Sequence, residues 1–284
     1  MPNRFVPSHR SDLDKLPALA DLIAGKSLAV LTGAGCSTAS GIPDYRGPQT
    51  RQRDHNPMLY RDFVNNAGAR RRYWARSAIG WPRIRDAAPN DAHFHLAELE
   101  RRGRLTGLIT QNVDDLHEEA GSRRVLALHG TLSEVICLGC HKICSRAAIQ
   151  ERIKTNNPGW TDQHGGPLAP DGDIELPQRV PDDFQIPDCL DCGGTLKPNV
   201  VFFGENVERS LVDRAWKTVL GADILLVVGS SLTVYSGFRF VRGADRENLP
   251  VAIINLGATR GDDHADLLVE ARAGDALAEL CRRL

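Results

Sequence analysis

The chain has 284 residues, a formal net charge of -1 and 25% charged residues, a size that suits one large α/β domain or a medium domain carrying an inserted lobe. That balance leaves no global basic field to hold nucleic acid, and no apolar run reaches the length of a bilayer span, so neither partner is expected. The segment 1–16 lacks the apolar core of a secretory signal, and Asp12 and Asp14 argue against an acidic-poor presequence; a cytoplasmic location is expected.

Val-, Ile- and Leu-rich runs recur at 28–31, 105–109, 125–128, 224–228 and 251–254, separated by helix-compatible stretches. Continuous apolar strands alternating with amphipathic segments predict a parallel sheet covered by helices on both faces. The predicted class is therefore α/β, a Rossmann-like doubly wound parallel sheet, with a smaller inserted lobe that binds zinc and is partly helical. The Rossmann-like part takes in about 15–42, 91–130 and 196–284. The small lobe takes in about 43–90, which is Arg-rich and aromatic, and 131–195, which is rich in Pro and Gly. Prolines at 158, 167, 170, 177, 181 and 187 make the stretch 156–187 the one candidate for a long irregular loop.

After the first run comes Thr32-Gly33-Ala34-Gly35-Cys36-Ser37-Thr38, whose glycines would let the backbone approach a pyrophosphate at the N-terminus of a following helix. Thr38 occupies the place of the third glycine, so taken alone the motif fits a plain strand-to-helix turn equally well. The continuation Ala39-Ser40-Gly41-Ile42-Pro43-Asp44-Tyr45-Arg46-Gly47 is a polar, Gly/Pro-punctuated loop able to fold over a bound dinucleotide. Past the second run, Gln111-Asn112-Val113-Asp114 leaves the carboxyl edge of the sheet, where ligands of doubly wound folds bind; a helix N-cap by Asn112 or Asp114 is the alternative. His129-Gly130 places an imidazole at the same edge, where it could accept a proton near neutral pH or serve as a structural residue.

Cys137-x-x-Cys140 and Cys189-x-x-Cys192 account for four of seven cysteines and match a closed tetrahedral Zn²⁺ shell, which is structural rather than catalytic. Zinc binding would contribute free energy to a lobe poor in apolar residues. A redox pair is the competing reading, and Cys144 and His141 are possible rival ligands, while Cys36 and Cys281 read as small buried apolar residues.

Together these segments resemble the sirtuin family from about Asp21 to Gly274. The matching stretches are Gly33-Ala34-Gly35 with Ser40 to Arg46, Gln111 to Asp114, His129-Gly130, the four cysteines, Lys197-Pro198-Asn199-Val200-Val201-Phe202-Phe203-Gly204-Glu205, Gly229-Ser230-Ser231 and Ile254-Asn255. Tyr45, the run Tyr73-Trp74-Ala75-Arg76 and Gly80-Trp81-Pro82 look like the class II branch, and the short N-terminus looks bacterial. The resemblance implies an NAD-dependent protein lysine deacylase, probed by acylated protein substrates, with one structural Zn²⁺ and no need for more than a monomer. It assigns the pyrophosphate region to Gly33, Ala34, Gly35 and Ser230, and the loop over the cofactor to Ser40, Ile42, Asp44, Tyr45 and Arg46. Asn112 would hold the nicotinamide ribose, Val113 and Asp114 the carboxamide, and Gln111 would also contact the cofactor. The adenosine half would meet Gly229, Ser231, Asn255, Leu256, Gly257 and Ala273, the last standing where relatives often carry cysteine. His129, with Asn112, would be catalytic, accepting a ribose proton after the acyl-lysine carbonyl displaces nicotinamide. An extended substrate would add a strand between Val201, Phe202, Phe203, Gly204 and Glu205 on one side and Val234, Tyr235 and Ser236 on the other. Tyr73 and Arg76 have the Tyr-x-x-Arg spacing of sirtuins that act on acidic acyl chains, against the alternative of a solvated basic helix face with Tyr73 and Trp74 packed inward. Mono-ADP-ribosyl transfer and a non-catalytic NAD sensor are the rival functions; a short-chain dehydrogenase is excluded because no Tyr-x-x-x-Lys pair is present.

Overall fold

In the computed structural model, which describes residues 12–45, 57–162, 166–174 and 180–284, the apolar runs become strands in the order the chain predicts. β1 (Leu28–Thr32), β2 (Leu105–Thr110) and β3 (Val125–Ala127) precede a smaller sheet of β4 (Gly130–Cys137), β5 (Ile143–Ser145) and β6 (Leu196–Val200). β7 (Ile224–Val228), β8 (Val251–Asn255) and β9 (Leu267–Glu270) follow. The main sheet is parallel throughout, ordered β3-β2-β1-β7-β8-β9. Every residue of β1 and β7 is buried, as required of central strands covered on both faces. Chain direction across the sheet reverses between β1 and β7, which opens a crevice at their carboxyl ends.

β9 is absent from the strands expected from the sequence, because its apolar run is only Leu267-Leu268-Val269. Leu196–Val200, expected as the return to the Rossmann-like part, instead pairs antiparallel with β4 in the smaller sheet. The thiol pairs at its start tie it there.

Nine helices lie among the described residues: α1 (Leu16–Ile23), α2 (Tyr60–Asn65), α3 (Ala67–Arg85), α4 (Asp91–Arg101), α5 (Leu116–Glu119), α6 (Arg146–Asn156), α7 (Arg209–Leu220), α8 (Tyr235–Arg246) and α9 (Ala273–Arg283). α1 buries Leu16, Leu19, Ala20 and Ile23, an i, i+3, i+4, i+7 stripe, against α9 and one face of the sheet. α7 and α8 cover the other face through Ala215, Val219, Phe238, Val241 and Ala244. Each large side chain removed from water on these faces contributes about 1.5–3 kcal/mol to folding.

A third core joins α2 and α3 to β4, β6 and α6 around Phe63, Trp74, Trp81, Val135 and Ile153. Arg146, 1% exposed, is sandwiched there, its Cζ 4.8 Å from the Trp81 ring centre and 5.2 Å from that of Trp74. Gln150 accepts its Nη1 hydrogen at 2.7 Å, so the buried guanidinium is not left unpaired. Among the described residues no helix is long and apolar enough to cross a membrane.

Candidate active site and metal centre

The two glycine-bearing loops that leave β1 and β7 touch backbone to backbone. The Gly35 N–H donates to Gly229 O at 2.8 Å, and a Cβ on Gly35 would stand 2.8 Å from that same oxygen. Gly229 has φ +62°, and a Cβ there would lie 2.5 Å from Cys36 N. Only glycine satisfies both demands, so this contact explains the motif better than helix packing does. The expected helix after Gly35 is not formed. Two 3₁₀ turns, Ala34–Cys36 and Thr38–Ser40, take its place and end at Gly41, φ +85°, ahead of Pro43. Gly41 in the left-handed region and Pro43 two residues on keep these turns from running on into a helix. Asn90, the N-cap of α4, ties the loop down by donating its Nδ2 hydrogens to Cys36 O and Ser40 Oγ, both at 2.9 Å.

At the end of β2, Gln111 Nε2 donates to Ser230 Oγ at 2.7 Å, linking the second loop to the third. Asn112 Nδ2 donates to Ser37 Oγ at 3.0 Å, and Ser37 Oγ donates to Asp114 Oδ2 at 2.7 Å. His93 Nδ1 accepts from the Asn90 N–H, so its Nε2 carries the proton and faces Ser37 Oγ at 3.4 Å. Ser37 is thus fully committed to holding Asn112 and Asp114 in place. Burial pushes the Asp114 carboxyl up, partly offset by Ser37 and by the Leu116 N–H it caps at 3.1 Å. Asp114 Oδ1 accepts from the first N–H of α5, whose N-cap position is Asp115, while Oδ2 faces the Ser37 side.

His129 sits where this polar edge meets the smaller sheet. Its Nδ1 lies 2.8 Å from Gln111 O, which can only accept, so Nδ1 holds the proton. Nε2 is left as the acceptor, 2.7 Å from Ser236 Oγ. Burial lowers the imidazole pKa against the raising effect of the Gln111 carbonyl, and the Arg239 charge lowers it further. A neutral ring whose unprotonated Nε2, accepting from the Ser236 hydroxyl, lies at the cleft is the form a general base needs.

These residues line one cleft of about 1200 Å³. Of the expected cofactor residues, Gly33, Ala34, Gly35, Ile42, Asp44 and Tyr45 form its floor and near wall. Gln111, Asn112, Val113 and Asp114 form its deep end, and Gly229, Ser230, Ser231, Asn255, Leu256, Gly257 and Ala273 its far end. Ser40 stays off the wall, engaged by Asn90, and Arg46 lies outside the described residues. Asn255 Nδ2 donates to Gly257 O at 2.8 Å, and Gly257 N donates to Glu270 Oε1 at 3.2 Å, so β9 shapes the far end.

Of the expected substrate residues, Val201, Phe203, Gly204, Glu205, Val234 and Tyr235 line the same cleft. Val201 N donates to His129 O at 2.8 Å, which places the 201–205 loop beside the imidazole. Glu205 Oε2 accepts from Phe202 N at 2.9 Å and pairs with the buried Lys197 Nζ at 3.1 Å. Tyr73 and Arg76 are not brought to the wall. Tyr73, 3% exposed, packs edge-on against Phe63, Trp74 and Phe202. Arg76 Nε pairs with Asp173 Oδ1 at 2.9 Å and donates to Ile174 O, so its charge is spent inside the lobe. The reading of Tyr73 and Trp74 packed inward holds for this stretch.

Sequence reasoning gave no role to Ser37, Asn90 and Arg239, and set Ser236 beside the substrate strand rather than against His129. Ser37 stands within the glycine motif, and Asn90-Asp91-Ala92-His93 carries a readable capping box; Arg239 had no local signal, nor had the contact of Ser236 with His129.

The second centre is the thiol cluster. Cys137, Cys140, Cys189 and Cys192 bring their sulfurs within 4.8 Å of one another, with Cys137 to Cys192 at 3.5 Å and Cys140 to Cys189 at 3.7 Å. A tetrahedron with Zn–S bonds of about 2.3 Å has S···S edges of about 3.8 Å, so the donor set fits Zn²⁺. Gly194 is cut to the site: a Cβ there would lie 3.0 Å from Cys137 Sγ and 3.1 Å from Cys192 Sγ. The Cys140 backbone amide holds the Cys137 thiol down to about 6. Cys192 goes the other way, to about 12; the Gly194 amide lowers it, but the sulfurs of Cys137, Cys140 and Cys189 outweigh that. Four sulfurs at this spacing suit a divalent cation, whose charge would hold them as thiolates. Cys144 is excluded from the shell, its Sγ turned to Val135 O at 3.6 Å. Cys36, His93 and His117 also come within 4.8 Å, but both His93 nitrogens are already engaged and the three form the packed back of the deep end.

A sequence model of the Sir2 family matches residues 33–236. The chain is 51% identical over 265 residues to an NAD-dependent protein deacetylase of Xanthomonas campestris pv. campestris, covering 93% of this chain and 90% of that protein. It is 48% identical over 278 residues to the human mitochondrial NAD-dependent protein lipoamidase sirtuin-4, covering 96% and 88%. The fold superposes on a Sir2–p53 peptide–NAD+ complex with a TM-score of 0.77 at 30% identity, covering 94% of this chain and 98% of that one. The chain belongs to the Sir2 family.

Proposed function

We propose that the protein is an NAD-dependent protein lysine deacylase acting on acylated lysines presented in extended segments. The observation that carries this reading is His129, neutral and oriented by Gln111 O, standing between the glycine-loop half of the cleft and the 201–205 loop. Bound NAD supplies the activated ribose that takes up the acyl group as nicotinamide leaves. Gly33, Ala34, Gly35 and Ser230 line the part of the cleft suited to a pyrophosphate, where side chains are too small to block backbone amides. Asn112 and Asp114, aligned by Ser37, orient the ribose and carboxamide ends. His129 Nε2 takes a ribose hydroxyl proton, a role open to it because Nδ1–H is already held by a carbonyl. Tyr45 and Phe203, edge-on at 6.2 Å between ring centres, narrow the cleft between its two halves. The thiol cluster with Zn²⁺ keeps the smaller sheet, and with it β6 and the 201–205 loop, in register.

With Arg76 held by Asp173, the acyl channel offers no guanidinium from α3, and uncharged acyl groups fit it best. We further propose a monomeric, cytoplasmic enzyme with no nucleic-acid partner. The test is mass spectrometry of acetyl-, lipoyl-, glutaryl- and longer-acyl-lysine peptides incubated with the protein, with and without NAD, beside His129→Ala. NAD-dependent loss of the acyl mass, abolished in His129→Ala, is the expected result. Intact acyl peptides with ADP-ribose added to protein would overturn it in favour of ADP-ribosyl transfer.

A further inference from the structure

On the peptide side of the cleft, three arginines converge around the 231–236 loop. Arg239 lines the cleft, with its Cζ 5.4 Å from the ring centre of Tyr235, and its buried Nε has no hydrogen-bond partner. Arg242 approaches the same ring at 5.3 Å and donates to Tyr235 Oη at 2.6 Å. Arg260 stacks on Phe238 at 4.3 Å and donates to Thr233 O at 3.3 Å. Among the described residues no carboxylate pairs with any of the three; the nearest candidate on α8, Asp245, is taken by His264 at 2.6 Å. Tyr235 is 46% exposed and Val234 39%, so the loop that would flank a substrate strand is open. In a chain of net charge -1, three uncompensated guanidiniums on one rim form a local field rather than a general one. A guanidinium held on an aromatic face keeps its fork of donors available for a carboxylate.

We propose that Arg239, flanked by Arg242 and Arg260, is a specificity-determining residue that selects substrates carrying an acidic side chain within two residues of the acyl-lysine. This rests on the deacylase reading for its substrate, and it adds the sequence context that reading leaves open. An extended strand advances about 3.3 Å per residue, so a flanking Asp or Glu reaches the rim while the acyl-lysine occupies the cleft.

The experiment compares acetyl-lysine peptides that differ only in Ala, Glu or Lys at the flanking positions, by kcat/KM and by fluorescence anisotropy, with wild type, Arg239→Gln and Arg239→Glu. Wild type is expected to favour Glu over Ala about fivefold, the size of one partly exposed charge pair, with the advantage reduced at high salt. Arg239→Gln should remove the preference, and Arg239→Glu should reverse it toward Lys. Equal values for Ala and Glu peptides in wild type, with turnover of both, would overturn the proposal and leave the deacylase reading standing. Arg239-dependent binding of Glu peptides without turnover of any would support the surface and overturn the deacylase reading instead.

Discussion

His129 concentrates the chemistry in one proton assignment. Its pKa is lowered from 6.5, so the neutral base persists as pH falls below that value and is lost only when pH passes the depressed pKa. The acid limb of kcat/KM is therefore expected to have its midpoint below 6.5 in a pH–rate profile, and a midpoint above it would contradict the burial argument. Arg76→Met should leave the acetyl-to-glutaryl turnover ratio unchanged, since Arg76 is committed to Asp173; a ratio shifted tenfold would show that the pair opens to the acyl group. Gly229→Ala places a methyl 2.5 Å from Cys36 N at a positive φ, and should weaken NAD binding at least tenfold by calorimetry, on the order of 1.4 kcal/mol. At this scale the motif residues were legible in the sequence, because glycine spacing and Asn/Asp/His chemistry are local properties. Arg239, and the contact of Ser236 with His129, were not, because only the return of α8 to the cleft brings them there.

The elements show where local patterns stop informing. Five of the six strands of the main sheet were readable as apolar runs, whereas β9 was too short to stand out and β6, grouped with the Rossmann-like part from residue 196, belongs to the smaller sheet. Both errors share a cause: pairing partners distant in sequence decide a short strand's place, and here the thiol cluster decides for β6. Cys189→Ser should lower the zinc content from one equivalent per chain toward none and lower the thermal midpoint, read by metal analysis and calorimetry, since the metal contributes folding energy. Retention of one full equivalent would count against the four-thiol shell. Lys197, buried and bonded to Glu205, Pro198 O and Val200 O, holds the 201–205 loop from beneath. Lys197→Met should raise the peptide KM about tenfold while changing kcat less, because it loosens a substrate-facing loop without touching the proton acceptor.

For the whole molecule, three cores meet at one cleft, two on the faces of the main sheet and one in the lobe behind the 201–205 loop. The buried pair His93 and His117 marks the cost of that meeting point: burial lowers their pKa to about 4 and about 3. The unfolded chain binds protons at both between pH 6.5 and those values while the folded chain does not, so stability is full above 6.5 and falls as pH drops through that window. His93→Gln should make the fall of the thermal midpoint with acid shallower, by on the order of 3 kcal/mol at pH 4. The claim that this architecture performs deacylation at the expense of NAD is tested most directly by stoichiometry. Nicotinamide, deacylated peptide and acyl-ADP-ribose are quantified together by mass spectrometry over one reaction course with an acetyl-lysine peptide. The three are expected to appear one for one, and nicotinamide release without matching deacylated peptide would contradict it.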